Sequence, residues 1–366
     1  MQNSAASIST KYFLLLLSTV LLLNSCGSTA TQKKSKQRMA QLYYGEDHLT
    51  KIKQLTFKGE NAKASYDSKN KTLVFHSTYD GLRCFAIFRV DQDGSDIHQV
   101  SSGKGIATSA AISPDNYSVV YSSTQEFDEM CPTKPEFSKD YVWLLNSNYD
   151  IFTSSISGGI PDRLTNSNAY DGEAVYSPDG EHILFTSNRT GDLELFMMNS
   201  DGSNVKQITY AVGYDGDASF SPSGKKIVWR ASRPKAQKLH EYRFQLARGI
   251  IKAANFEIYM MTLANGKTVK LTNNGATNFS PRFSPNAKKI IFTSNSSQKD
   301  RRNYDLYTID LNSHKLERIT YYDGFDGYPA FSSDGKNLVF TSSRNFRYKA
   351  ETNIFSTIWV EEGIYN

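Results

Sequence analysis

Histidine and cysteine are scarce, six and three in 366 residues, and their spacing removes several chemistries at once. No His-x-x-x-His or Cys-x-x-Cys pair occurs, so common zinc and thiol-redox sites lack ligands at the required intervals. No Gly-x-Ser-x-Gly elbow and no Gly-x-x-x-x-Gly-Lys-Ser/Thr loop is present either. Long apolar runs are missing too. The one extended run, Tyr12 to Leu23, comes after Lys11 and is too short to span a bilayer. It reads as the core of a signal peptide over residues 1–25.

The apolar core ends in Leu23-Asn24-Ser25-Cys26-Gly27. This resembles the lipobox of bacterial lipoproteins, which implies cleavage before Cys26 and acylation of its thiol and amino group. Several acyl chains anchor a protein stably. No acidic run stands behind the cysteine, and by resemblance to lipoprotein sorting this implies the outer membrane, at its periplasmic face.

Residues 26–50 are expected to form a lipidated tether, since Gly27 to Leu42 is mostly Ser, Thr, Gln and Ala with Lys33, Lys34, Lys36 and Arg38, a composition that buries no core. The net charge of +5 resides in Lys11 and those four cations. The remaining body, residues 51–362, is therefore about neutral and offers no basic face for nucleic acid. Cys84 and Cys131 would share an oxidising compartment, where they either pair or stay as buried thiols.

Within the body one phrase returns six times: Tyr66–Phe75, Ile112–Tyr121, Tyr176–Phe185, Phe220–Trp229, Phe283–Phe292 and Phe331–Phe340. Each copy is a strand end, a turn of Ser, Pro, Asp, Asn and Gly, and a second strand of β-branched and aromatic residues. A second phrase, aliphatic then Thr or Ser, also occurs six times: Leu55-Thr56, Val100-Ser101, Leu164-Thr165, Ile208-Thr209, Leu271-Thr272 and Ile319-Thr320. Four strands per repeat of this length predict an all-β, six-bladed propeller. Leu55-Thr56 precedes the first hairpin, so the strand near Ile52 to Phe57 is expected to close the last blade.

The run Tyr-Ser-Pro-Asp-Gly-Glu-His-Ile-Leu-Phe-Thr-Ser-Asn-Arg at 176 to 189 resembles the repeat of TolB-type propellers. The resemblance covers residues 51 to 360, without the α/β domain that precedes the propeller in TolB. It implies a fold strongly and a function weakly, since similar propellers also occur in peptidases and sugar-processing proteins.

In such a meander the connections after each second strand and the links between blades share one face, called here the upper face. It receives the blade starts Tyr170-Asp171-Gly172-Glu173, Tyr214-Asp215-Gly216-Asp217 and Phe325-Asp326-Gly327-Tyr328, together with Arg189, Arg233 and Arg344. These are the candidate ligand-binding residues, read as a mouth with aromatic platforms and both charge signs. Two insertions, near Gln125 to Asn146 in blade two and Ala231 to Ala254 in blade four, reach the same face. In the second, Leu239, Tyr242, Leu246 and Ile250 recur at helical spacing and Gly249 marks an end, predicting a helix that either rims the mouth or packs on the blade edge.

Of the histidines, only His76 and His240 are placed to share the mouth, too few for a lyase-like metal site. No catalytic residue, metal or cofactor is expected, although a carboxylate cluster leaves Ca²⁺ open. The reading is a non-enzymatic binding propeller of the cell envelope, its partner a protein or peptide. The alternative is a glycan-binding or glycan-processing protein.

Overall fold

A computed structural model describes residues 38–131, 142–252, 254–296, 303–348 and 350–363. The expected signal peptide, Cys26 and most of the tether lie outside the described residues. Six antiparallel sheets succeed one another in chain order. Their innermost strands are Asn61–Tyr66, Ala107–Ile112, Asp171–Tyr176, Asp215–Phe220, Asn278–Phe283 and Asp326–Phe331.

Why these sequences form blades is clearest in the second strands. Thr72–Ser77, Ser118–Ser123, His182–Ser187, Lys226–Ala231, Lys289–Ser294 and Asn337–Ser342 are each buried at every position after the first. A sheet covered on both faces needs near-continuous apolar runs rather than alternation, and Leu73-Val74-Phe75 or Ile290-Ile291-Phe292 supply them. The core is accordingly a series of clusters between neighbouring sheets, such as Leu184, Leu195, Ala218, Ile227 and Trp229 between blades three and four.

Each repeated phrase has one task. In all six hairpins the first turn residue captures the backbone N–H that opens the second strand, as Ser177 does for His182 and Ser332 for Asn337. In all six blades the Thr or Ser hydroxyl of the second phrase accepts the N–H of the second residue of the third strand. Ile87 donates to Ser101, Ile151 to Thr165, Leu195 to Thr209, Ile258 to Thr272, Leu306 to Thr320, and Ile354 to Thr56. This donor otherwise lies buried without a ladder partner.

The sixth of these bonds joins the two ends of the chain. Leu49–Gln54 pairs with Asn353–Trp359, so the last blade takes its outer strand from the start of the body. Packing begins earlier than the expected boundary at 51. Arg38 and Met39 pair with Gln54 and Lys53, and Glu46, His48 and Leu49 are buried. The polar composition of this stretch hides those contacts, which come from backbone pairing, the Glu46 carboxylate, His48 stacked on Trp359, and single apolar residues such as Leu49 rather than from a repeated phrase.

The blade-four insertion holds the expected helix at Gln237–Ala247. Ile250 is not on it: Ile250–Lys252 is a short strand paired with Val142–Leu144 of the blade-two insertion. Cys84 and Cys131 are disulfide-bonded, tying the upper connection of blade one to the blade-two insertion.

Candidate functional site

The aromatic-Asp-Gly starts send their residues in different directions. Each aromatic ring folds over the glycine two positions on: a Cβ on Gly172 would collide with the Tyr170 hydroxyl, and one on Gly216 would stand 2.5 Å from that of Tyr214. Phe325 covers Gly327 in the same way. The carboxylates turn away from the channel. Asp171, Asp215 and Asp326 are fully buried and pair with Arg189 at 2.8 Å, Arg233 at 2.6 Å and Arg344 at 2.7 Å, each from the same blade. Arg189 lies over Phe185 and Phe196, Arg233 over Tyr259, and Arg344 over Phe340, rings of second and third strands. These six residues fasten the start of an inner strand to the end of the second, and the structure does not bring them together at the mouth.

The third residue of every inner strand does face the axis. Lys63, Ser109, Glu173, Asp217, Ser280 and Tyr328 all have φ between 51° and 58°, and the pairing register slips at each. Six equivalent bulges thus turn six side chains inward. Their N–H groups are received from the preceding blade, Lys63 by Thr341, Asp217 by Thr186 and Tyr328 by Thr293.

Blades one and four are opposite each other in a ring of six, yet Lys63 Nζ lies 2.8 Å from Asp217 Oδ1, with side chains 12% and 2% exposed. An ion pair therefore crosses the channel. Asp217 also meets Arg230 at 3.3 Å and Arg282 at 3.6 Å, and Arg230 meets Glu173 at 2.5 Å and the Tyr214 hydroxyl at 2.7 Å. Burial alone would raise the Asp217 carboxyl. The charges of Lys63, Arg230 and Arg282 outweigh it and hold that carboxyl well below the usual range. Three cations against two carboxylates leave the network one positive charge in excess.

Above Arg230 sits Trp143, its ring centroid 4.1 Å from the guanidinium carbon, stacked on Phe256 at 5.4 Å. The ribbon of residues 142–144 and 250–252 holds it there. The ribbon supplies the roof over Arg230, and the helix backs it: Leu239, Tyr242 and Leu246 share one apolar cluster with Ile251 and Trp143, while the Tyr242 hydroxyl donates to Asp192.

One carboxyl is out of place. Third strands open with Asp150, Glu257 and Asp305, faced by Arg163 at 2.6 Å, Lys270 at 3.7 Å and Arg318 at 2.8 Å, whereas neutral Ala86 and Asn353 fall in blades whose matching outer residues are Gln99 and Gln54. Glu194 also stands in a blade with a glutamine there, Gln207, which donates to the Thr209 carbonyl. Burial, with the charges of Asp215 and Asp192, pushes Glu194 up to about 8. Asp215 has Arg233 and the Trp229 indole as partners, so Glu194 is the member that holds a proton between them.

Of the residues expected at the mouth, Glu173, Asp217, Tyr214, Tyr170 and Phe325 are there. Lys63, Arg230, Arg282 and Trp143 were not foreseen. Arg230 carries a visible signal, because the aligned second strands have His76, Ser122, Thr186, Thr293 and Thr341 in its place. Lys63 and Trp143 carry none. His76 is buried against Phe85 and held down to about 3 by burial and Lys63, while His240 is exposed on the helix. Among the described residues no group of three His, Cys, Asp or Glu is placed to hold a metal ion.

Five four-stranded sheets and a sixth extended to five strands by Arg38–Met39, set around a blocked axis, define a six-bladed β-propeller. Residues 132–247 and 251–355 match the TolB beta propeller domain, and the chain belongs to that family. A curated relative, an uncharacterised protein of Agrobacterium fabrum, is 36% identical over 66 residues, which are 18% of this chain and 22% of that one. The chain thus spans about a fifth of that relative's length. Among solved structures, a TolB candidate from Agrobacterium tumefaciens is 18% identical over 82% of this chain and 91% of its own, with a TM-score of 0.55. Oligogalacturonate lyase from Vibrio parahaemolyticus is 14% identical over 89% and 98%, with a TM-score of 0.53. At these identities both likenesses speak to fold alone.

Proposed function

We propose that this propeller is a non-enzymatic binding protein of the bacterial cell envelope, exported by residues 1–25, anchored through Cys26, and capturing a protein or peptide at its upper mouth. The observation that carries the reading is the five-charge network, three of its members on inner bulges and Arg230 and Arg282 beside them, lying beneath a roof built by two insertions from different blades. Blade packing does not require that roof or an ion pair across the axis. A disulfide between upper connections suits an oxidising compartment. An acidic group on the partner matches the positive excess once Trp143 moves aside.

A photo-crosslinking residue at 143 in living cells tests this. A discrete adduct is expected from position 143, lost on Arg282→Gln or Lys63→Met with the fold retained, and absent when the probe is moved to Asp179 in a lower-face turn. Adducts of equal yield from both faces overturn the reading. No specific observation favours the glycan alternative over this one.

A further inference from the structure

The insertion helix carries more charge than its packing uses. From Lys235 to Arg248 it presents four exposed cations, Lys235, Lys238, Arg243 and Arg248, against one exposed acid, Glu241. None of the four has an ion-pair partner among the described residues. The packed side is Leu239, Tyr242 and Leu246. Phe244, two positions from Tyr242 and so on the opposite stripe, is 64% exposed, with the Arg248 guanidinium 5.4 Å from its ring. Phe244 stands on the solvent-facing side with Arg248 one turn on and Glu241 one turn back, and Lys238 and Arg243 flank it on either side, an arrangement that suits an anionic surface with an apolar layer beneath.

Two more observations choose between a flat surface and a compact ligand. Exposed apolar side chains rise from other connections of the same face, Phe127 and Met130 in blade two and Phe346 and Tyr348 in blade six, so the projections surround the mouth rather than line a pocket. A cavity of about 310 Å³ lies elsewhere, between Lys289, Asp310 and Glu317 of blade five and Glu361. The described chain also begins at this face. Arg38 pairs with Gln54, whose side chain accepts from Asn345 in the upper connection of blade six. Arg38 stands twelve residues after Cys26, a stretch that reaches about 40 Å at most.

We infer that the upper face docks at its rim on an anionic phospholipid surface, through the 237–247 helix, with Phe244 entering the headgroup layer and Lys238 and Arg243 meeting phosphates. The inference rests on the Cys26 anchor only for how the body is held near the bilayer, not for the surface itself.

The test uses the full chain purified from membranes and placed on phosphatidylcholine vesicles with or without phosphatidylglycerol. Phe244→Trp, read as a difference from the parent chain, should be quenched by brominated lipid when phosphatidylglycerol is present, and Tyr117→Trp on the lower face should not. Adding Lys238→Glu with Arg243→Glu should cut quenching at 244 at least fivefold, since each cation near such a surface is worth roughly that factor. Equal quenching at both positions, none at 244, or quenching unmoved by the reversals overturns the inference. Cys26→Ser separates the two readings. Its unchanged retention on neutral vesicles counts against the anchor alone, whereas an anchored chain dark to lipid at 244 counts against docking alone.

Discussion

At the scale of single residues, the glutamine facing Glu194 sets the pH response. The folded state holds this proton more tightly than the unfolded chain does. Its contribution is complete below the ordinary carboxyl range and fades as pH rises from 4.5 towards about 8. Asp217 acts in the other direction, stabilising at neutral pH and losing that contribution as pH falls into and below the carboxylate range. Glu194→Gln keeps a neutral group beside Asp215. It should therefore match the parent in urea unfolding at pH 5 and exceed it at pH 8, by on the order of 2–4 kcal/mol. A constant offset between the two chains at both pH values would refute the shared proton.

Elements are where the sequence was most and least legible. The two phrases each recur six times because each does one backbone task per blade, so blade number, strand order and the exchanged closing strand could all be read from them. Orientation within the inner strands could not. Ordinary pleating sends residues one and three of a strand to the same side, which puts Asp171 beside Glu173 at the mouth. The bulge at position three adds a residue to the register and parts them. The roof was hidden for another reason, since Val142–Leu144 pairs with a segment about a hundred residues away and neither belongs to a repeat.

The hydroxyl clamp gives the element its own prediction. Thr209→Val keeps the shape but leaves the Leu195 N–H without an acceptor, and should cost about 1–3 kcal/mol in thermal unfolding. Thr209→Ser, which keeps the hydroxyl, should cost less than half as much. Equal losses would mean that the methyl group, and not the hydrogen bond, is what the position needs.

For the whole molecule, the decisive stretch is the chain from Arg38 to Gln54. Removal of residues 27–37 from the processed chain should leave the melting midpoint unchanged, because their Ser, Thr, Gln, Ala and Lys composition buries no core. Removal of 1–57 takes away the outer strand of blade six, the Thr56 clamp and the Glu46 partner of Arg344, 3.0 Å away. That truncation should lower the midpoint steeply or prevent folding, and differential scanning calorimetry of the two chains decides it. Similar midpoints would mean that the ring holds without its exchanged strand.

That exchange also sets an order of events during biosynthesis. The strand at 49–54 leaves the ribosome roughly 300 residues before its partner at 353–359. Until the end of the chain arrives, it has no sheet to join, and five blades stand assembled or half assembled with two raw edges. Folding is therefore governed by the longest contact in the molecule, which slows it and prolongs exposure to aggregation. A chain whose synthesis stops early offers the quality-control proteases an open arc in place of a ring. Mutations that delay arrival of the C-terminal strand should thus reduce yield without altering the stability of the protein that does mature.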